Sequence, residues 1–234
     1  MVLAVTFGLS AYTALLNLIE AVLLGLAGQR IALNPRRSQF DLIDLGLNLA
    51  VVFQLIAWGV LALYLLWRSG FGPREIGLGR LRWQPDVLGG LGLAALIGLP
   101  GLGLYVVARV LGLSASVEPV ELYDTWWRVP VLLIAAFANG WAEEIIVVAF
   151  LLTRLKQLGV NPVAAMLASS LLRGAYHLYQ GFSAGLGNIV MGLVFAYVWR
   201  RTGRLWPLII AHGVIDSVAY VGYAFAAGHL SWLS

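Results

Sequence analysis

The run VVFQLIAWGVLALYLLW, residues 51–67, contains no charged side chain. A helix needs about 20 such residues to cross the hydrocarbon of a bilayer. The chain offers seven stretches of this kind, near 2–27, 45–67, 87–112, 130–153, 161–181, 185–199 and 205–228. None alternates apolar with polar residues as a barrel strand must. The sequence therefore predicts an all-α, polytopic membrane bundle of about seven helices (six to eight), built as one integral membrane domain over 1–234.

Composition closes the other routes. Only 11% of residues are charged and 61% are hydrophobic, against about 25% and 45–50% in a soluble domain. Mean hydropathy is +0.87. A soluble enzyme, a disordered chain and a disulfide scaffold are all excluded. The net charge of +4 reads as basic loops of a membrane protein, not as a nucleic-acid surface. With no cysteine, thiol catalysis and thiolate–metal sites are excluded as well. Arginine supplies all the basic residues but one, which hints at a GC-rich genome. The first stretch is not a signal peptide: it has no basic leader, is too long and contains Glu20.

Loop charges set the orientation. Arg68, Arg74, Arg80, Arg82, Arg154, Lys156, Arg200, Arg201 and Arg204 fall on one side of a seven-span chain. The other side has Arg30, Arg36, Arg37, Arg109 and Arg128. The positive-inside rule then places the N-terminus in the cytoplasm of a multi-pass plasma-membrane protein.

Ionisable groups inside the spans are the informative ones, since each costs about 2.5–3.5 kcal/mol at mid-helix. Glu20 stands alone, and snorkelling or one polar contact accounts for it. Glu143, Glu144, Arg173, His177, His212 and Asp216 all lie in the fourth, fifth and seventh spans. Adjacent Glu143 and Glu144 diverge by about 100° around a helix, which suits two roles. Arg173 and His177 share one face at i, i+4, as do His212 and Asp216. Counting about 1.5 Å per residue, Glu143 and His212 reach a common depth, whereas His177 comes out nearer the surface. Packed, hydrogen-bonded histidines and a carboxylate paired with arginine are the bland reading of each residue taken singly. Four such elements in one half of the chain argue against it.

A Glu-Glu helix, a helix with one His, a Gly-Asn helix and then His-x-x-x-Asp resembles the CPBP family. These are the CAAX-protease and bacteriocin-processing intramembrane endopeptidases. The resemblance covers about 130–220 and is carried by WAEEIIVVAFLLTRL, SSLLRGAYHLYQG and GNIVMGLVFAYVWRRTGRLWPLIIAHGVID. It implies Glu143 as the base that activates water, with Glu144 beside it. His177, His212 and Asp216 take the remaining catalytic positions, and Asn188 is an accessory polar residue. It further implies a membrane-tethered protein or peptide substrate and no nucleic-acid partner. Two positions depart from the family pattern: Val148 stands where Glu-Glu-x-x-x-Arg has arginine, and Arg173 stands where Phe-x-x-x-His has phenylalanine.

Metal-free glutamate chemistry and a divalent metal such as zinc held by His177, His212 and Glu143 both remain open, although H-E-x-x-H is lacking. Two rival classes are a non-catalytic binding or immunity protein on the same fold and a proton- or ion-coupled transporter. The missing arginine prompts one more expectation. Two buried carboxylates need a cation, so the Arg173 guanidinium is expected to cross to Glu144 and grip it with two hydrogen bonds. The alternative takes Arg173 to the headgroups or a backbone carbonyl.

Overall fold

Asn161 and Pro162 show how locally the helices are specified. The Asn161 side chain accepts from Val163 N at 2.8 Å and caps a helix whose first turn holds a proline, where a missing N–H is harmless. Gly203, in the left-handed region at φ 65°, closes another helix, a conformation that side chains with a Cβ resist.

A computed structural model describes residues 1–118 and 125–227. Six helices are long and apolar enough to cross a membrane: α1 (Ala4–Leu24), α2 (Asp41–Trp67), α3 (Trp83–Val110), α4 (Arg128–Gln157), α6 (Phe182–Thr202) and α7 (Trp206–Phe225). Between α4 and α6 lies α5 (Pro162–His177), only 16 residues long. The polytopic helical bundle expected from the sequence is therefore present, with one correction. The stretch 161–181 does not form a full-length span, because the helix ends at His177. A single 3-10 turn then leads to Gly181, whose φ of 109° starts the reversal into α6. The end of the last stretch, at 228, lies outside the described residues.

α4 is the centre of the bundle. Its apolar window is 67% buried, against a third or less for each of the other five spans. Residues Ile145 to Ala149 are all fully buried within the main apolar core. Glycines set the close approaches around it. A side-chain carbon added at Gly140 would lie 3.1 Å from the Gly213 nitrogen and from the His212 side chain on α7. One added at Gly192 on α6 would meet Ser170 of α5 at 2.9 Å. Both contacts draw polar residues of neighbouring helices together.

The two ends of the bundle differ. At one end the 68–82 loop docks on the α6–α7 turn, where Trp199 and Trp206 donate to the carbonyls of Ile76 and Gly79 at 2.9 and 2.7 Å. Arg204 there ion-pairs with buried Asp86, and its hydrogen bond to that carboxylate raises the guanidinium pKa above the ordinary arginine value. The nine basic residues grouped from sequence thus share one end. At the other end β1 (Arg30–Ala32) and β2 (Ser116–Glu118) pair in parallel, with Ile31 opposite Val117. Ser114 bridges to Gly181 beside them.

Candidate active site

Six polar side chains from α4, α5 and α7 meet in the interior of the bundle. Glu143, Glu144, Arg173 and His212 are each at most 3% exposed. Asp216 and His177 are half-buried at the margin. Immediately after Glu143 the chain runs from Glu144 to Phe150 as a π-helical turn, and such turns reset the register of the residues beyond them.

Arg173 occupies the middle. Its Nη2 lies 2.8 Å from Glu144 Oε1 and its Nη1 lies 3.6 Å from Glu143 Oε2. The Phe195 ring covers the guanidinium, with its centre 5.5 Å from the central carbon, a favourable seat for a desolvated cation. The expected crossing of Arg173 to Glu144 is thus realised, and the alternative of an excursion to the headgroups is ruled out by its complete burial. The expected two-bond grip is corrected: the guanidinium is divided between two carboxylates. Among the described residues Glu144 Oε2, Arg173 Nε and Arg173 Nη2 make no hydrogen bond, so the 2.8 Å approach of Nη2 to Glu144 is an ion pair.

His212 fills the remaining side. Its Nδ1 is 2.7 Å from Glu144 Oε1 and 3.4 Å from Arg173 Nη1. Its Nε2 faces Glu143 Oε1 at 4.0 Å and Asp216 Oδ2 at 3.6 Å. Gly140 makes this possible, since a larger residue there would displace the α7 backbone. His177, the last residue of α5, stacks at 4.8 Å on the ring of Tyr176, the residue whose hydroxyl reaches Glu143. Its Nδ1 is 3.0 Å from the Arg173 carbonyl oxygen. A carbonyl only accepts, so Nδ1 carries the proton and Nε2 keeps its lone pair.

Two members escaped the sequence reading. Asn139 Nδ2 donates to Glu143 Oε1 at 3.0 Å and to Asp216 Oδ2 at 2.9 Å, tying the carboxylates of α4 and α7 together. Tyr176 donates to Glu143 Oε2 at 2.5 Å. Helical spacing was the available signal: Asn139 lies one turn before Glu143, and Tyr176 three residues after Arg173. Asn188 does not join them. Its side chain bonds back to the Ala184 carbonyl at 3.0 Å.

The metal set of His177, His212 and Glu143 does not fit this geometry. The Arg173 guanidinium sits among the prospective donors, its Nη1 3.6 Å from Glu143 Oε2 and 3.4 Å from His212 Nδ1. Among the described residues, no three His, Asp or Glu side chains are disposed to hold a metal ion.

A polytopic helical bundle with a buried carboxylate–imidazole–guanidinium cluster defines a membrane protein with an intramembrane polar site. Residues 125–218 match the family described as Type II CAAX prenyl endopeptidase Rce1-like, in agreement with the CPBP resemblance of their motifs. No curated protein and no solved structure matches the chain.

Proposed function

We propose that the protein is an intramembrane endopeptidase that hydrolyses a peptide bond of a membrane-associated protein or peptide. The observation that carries this reading is the convergence of Glu143, His177, His212 and Asp216 from three helices onto one buried cluster. Glu143 takes a proton from water while the water oxygen attacks the scissile carbonyl carbon. The free Nε2 of His177 is the second acceptor that orients that water. His212, with Asp216 against its Nε2, stabilises the oxyanion, and the protonated Glu143 returns its proton to the leaving nitrogen as the C–N bond breaks. The products are a carboxylate and an amine. Glu144 and Arg173 hold their neighbours in place. The charge distribution between the two ends supports a cytoplasmic N-terminus in a plasma membrane.

The test is cleavage of a prenylated or lipid-tethered peptide by protein reconstituted in vesicles. Wild type cleaves, and Glu143→Gln loses at least about a hundredfold in rate, the share of a positioned general base. Chelators leave the wild-type rate unchanged. Loss of activity on chelation, restored by zinc, would overturn the metal-free account.

A second reading draws on one specific observation: both Glu143 oxygens already hold donors, and the residue is 3% exposed. A non-catalytic binding protein on the same fold accommodates that. Equal peptide binding by wild type and Glu143→Gln, with no cleavage by either, is its signature.

A further inference from the structure

Helix α1 turns a polar line toward the membrane. Ser10, Thr13, Asn17 and Glu20 follow each other at spacings of three and four residues, so they run down one side of the helix. The face packed on the bundle is carried by Phe7, Ala14 and Leu18, all buried. Thr13, Asn17 and Glu20 are exposed.

The hydroxyls are satisfied within the helix. Ser10 Oγ donates to the Thr6 carbonyl at 3.2 Å, and Thr13 Oγ1 to the Ser10 carbonyl at 3.0 Å. Asn17 and Glu20 are different. Among the described residues neither side chain has a hydrogen bond or an ion pair. Glu20 lies four residues from the end of α1 and can lean toward the headgroups. Asn17 lies seven residues in, about 10 Å along the axis, too deep for a short side chain to reach water. A primary amide left in hydrocarbon is strongly disfavoured, and polar groups on lipid-facing helices find partners on other helices.

We propose that this line is the contact between α1 and the α1 of a second copy of the chain. In a two-fold pair about the membrane normal, each residue meets itself or its neighbour one turn away. The line is suited to that rule. An amide both donates and accepts, and the Glu20 carboxyl of one copy lies one turn from Asn17 of the other. This gives two symmetric amide–carboxyl hydrogen bonds. Ser10 and Thr13 are small enough to let the backbones approach. The proposal is independent of the catalytic reading, since none of these residues touches the buried cluster.

The chain has no cysteine, so an introduced thiol reports on one position only. Thr13→Cys in native membranes is expected to form a disulfide-linked species of twice the 25.3 kDa chain mass. Leu15→Cys, about 200° around the helix and also exposed, is expected to stay monomeric. Adding Asn17→Leu and Glu20→Leu to Thr13→Cys should lower the linked fraction about tenfold, the equivalent of one or two interhelical hydrogen bonds. These exposed positions leave the bundle intact, which cleavage activity or thermal unfolding of the variants verifies. Equal linking at positions 13 and 15, none at 13, undiminished linking in the triple variant, or a product of any other mass overturns the proposal. The last outcome assigns the line to a different membrane helix.

Discussion

Two buried arginines hold this bundle together on different terms. Arg128, at the start of α4, ion-pairs with Asp44: its Nη1 is 3.1 Å from Asp44 Oδ2, and its Nη2 donates to the Asn34 carbonyl at 2.8 Å. Asp44 in turn accepts from the Arg37 backbone N–H at 2.7 Å. Arg173 faces two carboxylates, with the third, Asp216, just beyond His212. The first arrangement ties α2 to α4. The second sets two carboxylates against one guanidinium. A fold seeking only stability would replace such a cluster with apolar side chains. On the proposed reading the cluster is retained for chemistry, whereas the Arg128 pair belongs to the scaffold.

The largest effect is expected where the imbalance is greatest. Arg173→Phe leaves Glu143 and Glu144 facing each other without a guanidinium. Removing one partner of a buried ion cluster costs about 3–5 kcal/mol, enough to abolish folding or activity. If the requirement is for a cation near Glu144, and not for this helix in particular, Val148→Arg in the same protein restores much of the loss. Val148 is fully buried four residues after Glu144, and deleting the Arg173 side chain frees volume nearby. Activity and thermal unfolding of both variants decide it. A double variant no better than Arg173→Phe, with both inserted in the membrane, refutes the exchange of roles.

Arg128→Met probes the other half of the comparison. It strands Asp44 and is expected to lower stability by about 3 kcal/mol, read as a fall in the unfolding midpoint. The folded fraction keeps its cleavage rate, because Arg128 and Glu143 stand at opposite ends of the helical segment Arg128–Glu143, about 22 Å apart along the axis. A comparable loss of rate at temperatures where the variant is fully folded would show that the two clusters are coupled along α4. Arg128→Met combined with Asp44→Leu removes both charges and recovers most of the midpoint.

Much of this contrast was legible in the residue order. Charged residues within hydrophobic runs are rare enough to mark the site, and i, i+4 spacing put His212 with Asp216 and Arg173 with His177 before any coordinates. Even the crossing of Arg173 to Glu144 follows from the need of two adjacent carboxylates for a cation. What hydropathy could not reveal was length set by tertiary context. The 161–181 stretch reads as a span, but Gly181 and its bridge to Ser114 end the helix at His177, which brings that residue to the cluster. Nor does composition distinguish Asn139 and Tyr176 from other polar residues near a membrane. Their importance depends on which way α4 and α5 face, and that is decided by the glycine contacts at Gly140 and Gly192. The Asn188 side chain donates instead to a carbonyl of its own helix, at Ala184.

Tyr176 offers the finest test of where scaffold ends and site begins, because its two parts serve different ends. The ring packs against Phe7 of α1 and against His177, each at 4.8 Å between centres, and so belongs to the apolar core. The hydroxyl alone reaches Glu143. Tyr176→Phe keeps the first role and deletes the second, so the unfolding midpoint should shift by the equivalent of about 1 kcal/mol or less. A hydrogen bond to a charged group contributes about 1.5–3 kcal/mol, which sets the expected loss of cleavage rate at roughly tenfold to a hundredfold if Glu143 must be held in one orientation to accept a proton from water. The substrate KM should hardly move, because the hydroxyl contacts the base and not the peptide. Tyr176→Leu, which removes ring and hydroxyl together, should add a loss of stability of about 2 kcal/mol to the same loss of rate. A Phe variant with full activity would place Tyr176 wholly within the scaffold and leave Asn139 and Arg173 as the groups that fix Glu143.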